Sequence, residues 1–269
     1  MSLILENMPL FLIGLRATLI LAVVTLAAST VIGVTFGVMA TLPSRAVRIL
    51  VALYVETLRD IPLIVTIFAI FFGAPFAGFP LEPLPAVAIG LSLWGGANGA
   101  EIVRGGILSV PAGQAEAATA LGLRRWQVYA KILLPQALRA VLPAYTGLLA
   151  LIVQSTSLGA LVGVTEFLKS GSLVIERSTV MQGINPSFTI YGFVLLVYFL
   201  ICSLLSLAAR RLDRRLSAGA ALMHVASTVL PRRPAPQGMV GGALSALVQD
   251  LGAEPPARGT VDALIRADI

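Results

Sequence analysis

Apolar residues run along this chain in blocks too long for the helices of a soluble protein, and short polar breaks separate them. A helix that crosses a bilayer needs about 20 mainly apolar residues. Five stretches meet that length, at about 12–42, 50–76, 84–104, 136–163 and 187–209. The first holds no charge between Ala17 and Leu42, and the third holds none from Leu84 to Ala100. The second opens on Glu56, Arg59 and Asp60, and its apolar part starts at Ile61, next to Pro62. No basic segment precedes the first run, which is also too long for a cleavable signal peptide. The pattern predicts an all-α integral membrane protein with five transmembrane helices over residues 1–216. After about Leu216 the pattern dissolves: Pro231–Pro236 and the Glu254-Pro255-Pro256 run separate weakly apolar pieces. A segment of that kind buries little surface, so residues 217–269 are expected to form a disordered tail, with Ala243–Leu251 as one short helical piece.

Composition agrees with the pattern. Of 269 residues, 57% are hydrophobic and 12% charged, and mean hydropathy is +0.92; soluble domains carry about 25% charged residues. The formal charge of +6 does not indicate a nucleic-acid partner, because the basic residues flank the apolar runs, as membrane topology requires. Arg45, Arg48 and Arg59 follow span one, and Arg104, Arg124, Arg125, Lys131 and Arg139 lie between spans three and four. Arg210, Arg211, Arg214 and Arg215 end span five. The opposite side offers Arg16, Lys169 and Arg177. The basic side is therefore expected in the cytoplasm, with the N-terminus outside and the C-terminus inside. One cysteine allows no intrachain disulfide, and with a single histidine it argues against a dedicated multi-ligand transition-metal site.

The break between spans three and four is the most structured of the polar segments. Pro111 suits a helix start, the alanine-rich run to Leu121 favours helix, and Gly122 suits the left-handed position just past a helix end. A second, amphipathic helix follows up to Pro135, with Trp126 and Tyr129 three residues apart on one face. From the residues alone, two readings stand: a helix resting on lipid headgroups, or one docking into a partner. Inside the spans, polar side chains are functional candidates by default. Asn98, Glu101 and Arg104 recur every three residues, and Glu56 and Arg59 repeat that spacing ahead of a kink at Pro62. These carry either structural pairing or gating. Gln154, Ser155, Thr156 and Ser157 either bond back to their own helix or line a path for a polar solute. Gly33 with Gly37, and Gly159 with Gly163, are spaced for close helix crossings.

The order of residues 116–135 then adds a family likeness. Glu116-Ala117-Ala118, three residues, Gly122, nine residues, Ile132, one residue and Leu134-Pro135 resembles the EAA loop of permease subunits of binding-protein-dependent ABC importers. The likeness spans residues 10–215 and is nearest the polar-amino-acid subclass, with further motifs at 55–64, 99–118 and 154–167. The chain departs from the subclass at Asp60-Ile61 and at Gln154-Ser155, where a charged pair is common.

The resemblance implies a coupling helix that docks into a separate cytoplasmic ATPase. Glu116 would pair with a basic group there, Ala117 and Ala118 would allow close approach, and Gly122 would set the corner. Arg124 and Arg125 would either meet acidic rim residues or fix topology. It implies an ATPase pair, a second permease subunit (identical or paralogous) and a periplasmic or lipid-anchored solute-binding protein. It also implies a place in the bacterial inner membrane. No Walker A loop is present, since Lys169-Ser170 follows Leu168 and not glycine; the chain is expected to be no enzyme, with ATP and Mg held by the partner. The implied cargo is a polar amino acid. An opine or other small amine, or a non-transporting scaffold role, are the alternatives.

Overall fold

The computed structural model describes the backbone of residues 2–229 and the side chains of residues 3–211. The chain divides into two units, Met1–Gly219 and Ala220–Ile269, and the site lies within the first. The tail expected over 217–269 falls, beyond Val229, outside the described residues. Those described are helical, with no strand among them.

A short α1 (Ser2–Glu6) leads into α2 (Met8–Met39), followed by α3 (Arg45–Asp60), α4 (Leu63–Gly73) and α5 (Pro83–Leu108). Next come α6 (Ala112–Ala120), α7 (Arg125–Val128), α8 (Leu134–Ser155), α9 (Phe167–Gln182) and α10 (Ser187–Val229). Four stretches are long and apolar enough to cross a membrane: Met8–Met39, Pro83–Leu108, Arg125–Val162 and Ser187–Arg211. The pair α3–α4 makes a fifth if counted as one broken span.

That pair differs from the sequence expectation of a kinked helix. The axes of α3 and α4 meet at 102°, so Pro62 separates two helices. Proline disfavours the helical region for the residue before it, and Ile61 is extended at φ −76°, ψ 129°. Pro62 then caps α4, its carbonyl accepting from the amides of Val65 and Thr66. The fourth span differs as well: α8 stops at Ser155 and continues as a 3₁₀ turn over Thr156–Val162. Gly163, at φ 93°, ends that turn with no atom near its missing Cβ. Gly163 thus terminates a helix, while Gly159, buried within the turn, faces Val87 of α5 with 3.6 Å between its missing Cβ and that side chain.

The other glycine pair behaves as its spacing predicts. The buried face of α2 runs through Thr18, Leu21, Ala22, Thr25, Ser29, Gly33 and Gly37, a stripe of mostly small residues three or four apart. It lies against α5. A Cβ on Gly33 would stand 3.1 Å from the backbone of Gly99, and one on Gly37 would stand 2.6 Å from Cβ of Val103. Such close packing is the main attraction between helices where lipid is as apolar as leucine. Two hydrogen bonds brace neighbouring pairs, from Tyr54 to the Leu93 carbonyl (2.8 Å) and from Tyr145 to Thr30 Oγ1 (3.0 Å).

Apolar contacts gather at three levels, with a fourth cluster of Val51, Val55 and Ala100 joining α3 to α5. Leu21, Ile67, Val87, Leu91, Val162 and Val164 fill the middle. Phe11, Phe167, Val174, Ile190 and Val194 close the end where α9 and α10 begin. Val103, Ile107, Ala118, Val128, Leu133, Ala137 and Val141 close the other end, which is rich in arginine.

Gly37→Ala should lower the unfolding free energy of the detergent-solubilised protein by about 1–3 kcal/mol, because the methyl overpacks a contact with backbone on one side. Gly105, in α5 with nothing within 4 Å of its missing Cβ, serves as the control. Its alanine variant should match the parent or gain up to about 1 kcal/mol in the same thermal melt.

Candidate functional site

The segment after α5 is built as a rigid corner. Pro111 caps α6, one position earlier than the helical start expected for it. At the far end, Gly122 sits at φ 81°. Its amide donates to the Thr119 carbonyl (2.9 Å), and that of Leu123 to the Ala118 carbonyl (3.2 Å). These are the paired bonds of a Schellman cap, completed by Leu123 packing on the cluster that holds Ala118. The next helix, α7, is capped where the amide of Arg124 donates to Gln127 Oε1 at 2.8 Å.

The two faces of this loop do different things. Glu116, Ala117, Arg124 and Arg125 are exposed, as are Leu121 (81%) and Trp126 (62%). Ala118 is not among them. Only 5% exposed, it packs with Val103, Ile107 and Val128, so of the alanine pair only Ala117 remains open to a partner. Nor do Trp126 and Tyr129 share an outward face. Tyr129 turns inward, its hydroxyl donating to the Thr41 carbonyl (3.0 Å) with Thr41 Oγ1 3.1 Å away. The loop is thereby tied to the end of α2.

No break separates α7 from α8. Between them Tyr129–Leu133 forms a π turn, the amide of Leu134 reaching back five residues to the Tyr129 carbonyl. Pro135 explains it: lacking an N–H, its ring conflicts with the carbonyl four residues before in an α-helix, and the wider turn relieves the clash.

The polar residues of span four do not form one lining. Gln154 is exposed and faces a groove between α8 and α10, a cavity of about 530 Å³ also lined by Tyr198, Cys202, Ser203, Ser206 and Arg210. Ser155 is half-buried. Thr156 is fully buried and bonds to the Val153 carbonyl (2.7 Å), and Ser157 bonds to that of Gln154 (2.7 Å). Asn98 likewise bonds back to the Trp94 carbonyl, at 2.9 Å.

The charged residues of α3 and α5 meet in a second cavity of about 330 Å³. Arg104 grips Glu101 with two hydrogen bonds, Nε to Oε2 (2.9 Å) and a terminal nitrogen to Oε1 (2.5 Å). Glu56 and Arg59 line the same cavity, but that is the only ion pair among the described residues, so the expected second pair is not formed. Pro62 sits at the break beside them.

Sequence reasoning missed Glu166. It lies between the spans, fully buried, at the start of α9. Its Oε1 accepts from the Lys169 amide (2.7 Å), and its Oε2 from the Leu168 amide (2.9 Å) and the Tyr198 hydroxyl (2.8 Å). Burial pushes its carboxyl above the usual range, and the donors of Leu168, Tyr198 and Lys169 pull it back. An acid three residues past a glycine, opening a helical stretch, was the available signal.

Residues 33–218 match the family of binding-protein-dependent transport system inner membrane components. The chain belongs to this family.

Among related permeases, a glutamate transport system permease protein of Corynebacterium glutamicum is 36% identical over 82% of this chain and 80% of its own length. The glutamine transport system permease protein of Escherichia coli K12 is 32% identical over 77% and 93%. A probable amino-acid ABC transporter permease of Bacillus subtilis is 32% identical over 80% and 92%. The fold resembles a chain of an amino acid ABC transporter crystallised with histidines, with a TM-score of 0.70 at 23% identity over 79% and 96% of the two chains. It also resembles a chain of the MetNI methionine transporter in an inward-facing form, at 0.65 and 27% over 78% and 97%. The EAA loop is thus seen in a permease of this family as a capped helix pair.

Replacing Gly122 by valine should destabilise the corner by about 1–2 kcal/mol, since a side chain strains the left-handed conformation, while Gly122→Asn should be tolerated. Amide hydrogen exchange over residues 112–128 reads the difference: faster in the valine variant, near parental in the asparagine one.

Proposed function

We propose that this permease carries a polar amino acid across the bacterial inner membrane, receiving it from a solute-binding protein and drawing work from a separate ATPase. The observation that carries this reading is the loop of α6 and α7. Its outer face (Glu116, Ala117, Leu121, Trp126) is free, while its inner face is fixed to α2, α5 and α8. A helix that must pass displacement into a bundle needs such a seat, because a loosely held one would absorb the motion.

The charge pattern favours the arginine-rich end, and this loop with it, on the cytoplasmic side. Glu116 meets a basic group of the ATPase, and Arg124 and Arg125 meet acidic groups on its rim. ATP and Mg belong to that partner, and the permease itself supplies no hydrolytic chemistry. The cargo assignment leans on the related permeases whose names specify glutamine or glutamate. The path is the groove of Gln154, Tyr198 and Arg210; Ser155 is not part of its lining, and Asn98, Thr156 and Ser157 have their hydroxyl or amide groups bonded to backbone. Its open side, and the largely exposed apolar surface of α10, with Leu195 70% and Phe199 62% exposed, are covered by lipid and a second permease subunit. The charged cavity of Glu56, Arg59, Glu101 and Arg104, next to the Pro62 break, acts as the cytoplasmic gate.

Glu116→Lys and Gly122→Val should each abolish co-purification of the ATPase and reduce uptake at least tenfold, the equivalent of about 1.4 kcal/mol of docking energy. Membrane insertion should remain at the parental level. Normal uptake by both variants would refute the docking role. For the cargo, labelled glutamine should enter membrane vesicles in an ATP-dependent manner and be displaced by unlabelled polar amino acids; vesicles that concentrate none of them would exclude the assignment.

A further inference from the structure

The two faces of α3 differ in kind. Ile49, Leu50 and Leu53 are exposed on one side, an apolar face that suits lipid. Arg48, Glu56 and Arg59 share the other side at helical spacing. They turn to α5 and line the cavity of about 330 Å³ together with Glu101 and Arg104. Topology asks only for basic residues near a helix end, where Arg45 and Arg48 stand. Glu56 and Arg59 lie about three and four turns further along α3, and an acid has little part in that rule.

The five charges are not equally committed. Glu101 and Arg104 satisfy each other through two hydrogen bonds. Arg48, Glu56 and Arg59 form no ion pair among the described residues. Arg59 stands near enough for its charge to act on Glu101, so the charges of α3 and α5 face one another across the opening. Beneath them the floor is apolar and closed, made of the buried Val51, Val55 and Ala100.

Size and charge decide what such a cavity accepts. Pockets for small molecules begin at about 300 Å³, so this one suits a solute of amino-acid size. A simple anion would meet Glu56 as well as the arginines, and a simple cation would meet the arginines as well as Glu56. An opposed charge of that kind is how a site rejects a ligand. Two uncommitted cations and one uncommitted anion match two carboxylates and one ammonium.

We propose that the cavity between α3 and α5 binds a free acidic α-amino acid. Arg59 holds the α-carboxylate, Glu56 the ammonium, and Arg48 the carboxylate of the side chain. The cavity lies at the arginine-rich end, so it meets amino acids on the side that the charge pattern assigns to the cytoplasm. It is separate from the groove of Gln154 and Arg210. The headgroup of phosphatidylethanolamine also joins an anion to an ammonium, but it would leave Arg48 without a partner.

Full-length permease in detergent is titrated with L-glutamate, against sodium chloride of equal ionic strength, and the rise in melting temperature gives the dissociation constant. Glutarate, which is glutamate without its ammonium, and phosphoethanolamine, the soluble headgroup, are titrated in parallel. The parent should bind glutamate about tenfold tighter than glutarate, the size of one hydrogen bond to a charged group, and tighter than phosphoethanolamine. Glu56→Gln should weaken glutamate about tenfold and not weaken glutarate, so that the preference disappears. Arg59→Gln should weaken both. Neither side chain is in an ion pair, so both variants should melt near the parent without ligand. Gln154→Ala, in the groove, should bind glutamate as the parent does. No saturable binding of glutamate, equal binding of glutarate by the parent, or parental binding by both cavity variants would overturn the proposal. A loss confined to Gln154→Ala would move the site to the groove, and tighter binding of phosphoethanolamine would assign the cavity to a lipid headgroup; either refutes it. No ATPase, binding protein or transport step enters the titration, so its outcome is independent of whether the permease carries a polar amino acid.

Discussion

The rest of this structure depends on the contact between α2 and α5, where two helices lie almost backbone to backbone. Gly33 faces Gly99, Gly37 faces Ala100 and Val103, and Gly96 faces Ile32. Hydrophobicity has no part in choosing that face, since every side of α2 is apolar and lipid would accept any of them. Shape chooses it: the smallest and hydroxylated residues form the one stripe along which another backbone can come close. Once the pair is set, α5 presents its other sides to α3, α4 and α8. The end of α5 also fixes where α6 begins.

From that frame the docking loop inherits its stiffness. Val103 and Ile107 of α5 receive Ala118 and Val128, and Tyr129 hooks onto Thr41 at the end of α2. The loop thus touches both members of the central pair and runs without interruption into α8. Displacing α6 would displace three helices together, which is what a part that transmits force must do. The groove is built on the opposite principle. One wall belongs to α8, inside the packed bundle, and the other to α10, which leaves most of its surface free.

Much of this was legible in the sequence. Apolar length located the spans, because a bilayer imposes a length on any helix that crosses it. Gly122 was readable as a left-handed corner, since few other residues take that conformation. Gly33 and Gly37 were readable as a crossing, and Glu101 with Arg104 as a pair. What failed to read were properties settled by tertiary contact. Ala118 looked identical to Ala117, and only packing distinguishes the buried alanine from the exposed one. Thr156 and Gln154 looked like one polar cluster, but two residues along a helix turn by about 200°, so they face different surroundings. Pro62 was visible, yet whether a proline bends a helix or divides it depends on what the flanking segments pack against. Glu166 escaped because its one side-chain donor, Tyr198, lies 32 residues away in a span read only for its apolar length.

The wide turn at Tyr129–Leu133 has a consequence for how such proteins can be recombined. It holds one residue more per bonded ring than the helix on either side, so the phase of everything before it is offset from everything after it. Removing a residue there would rotate α6 and α7 by about 100° around the axis of α8. Glu116 and Trp126 would then point along the bundle's flank and no longer away from it. A chimera that borrows its loop from a relative must therefore take the turn and Pro135 with it, as a single cassette whose length sets its bearing.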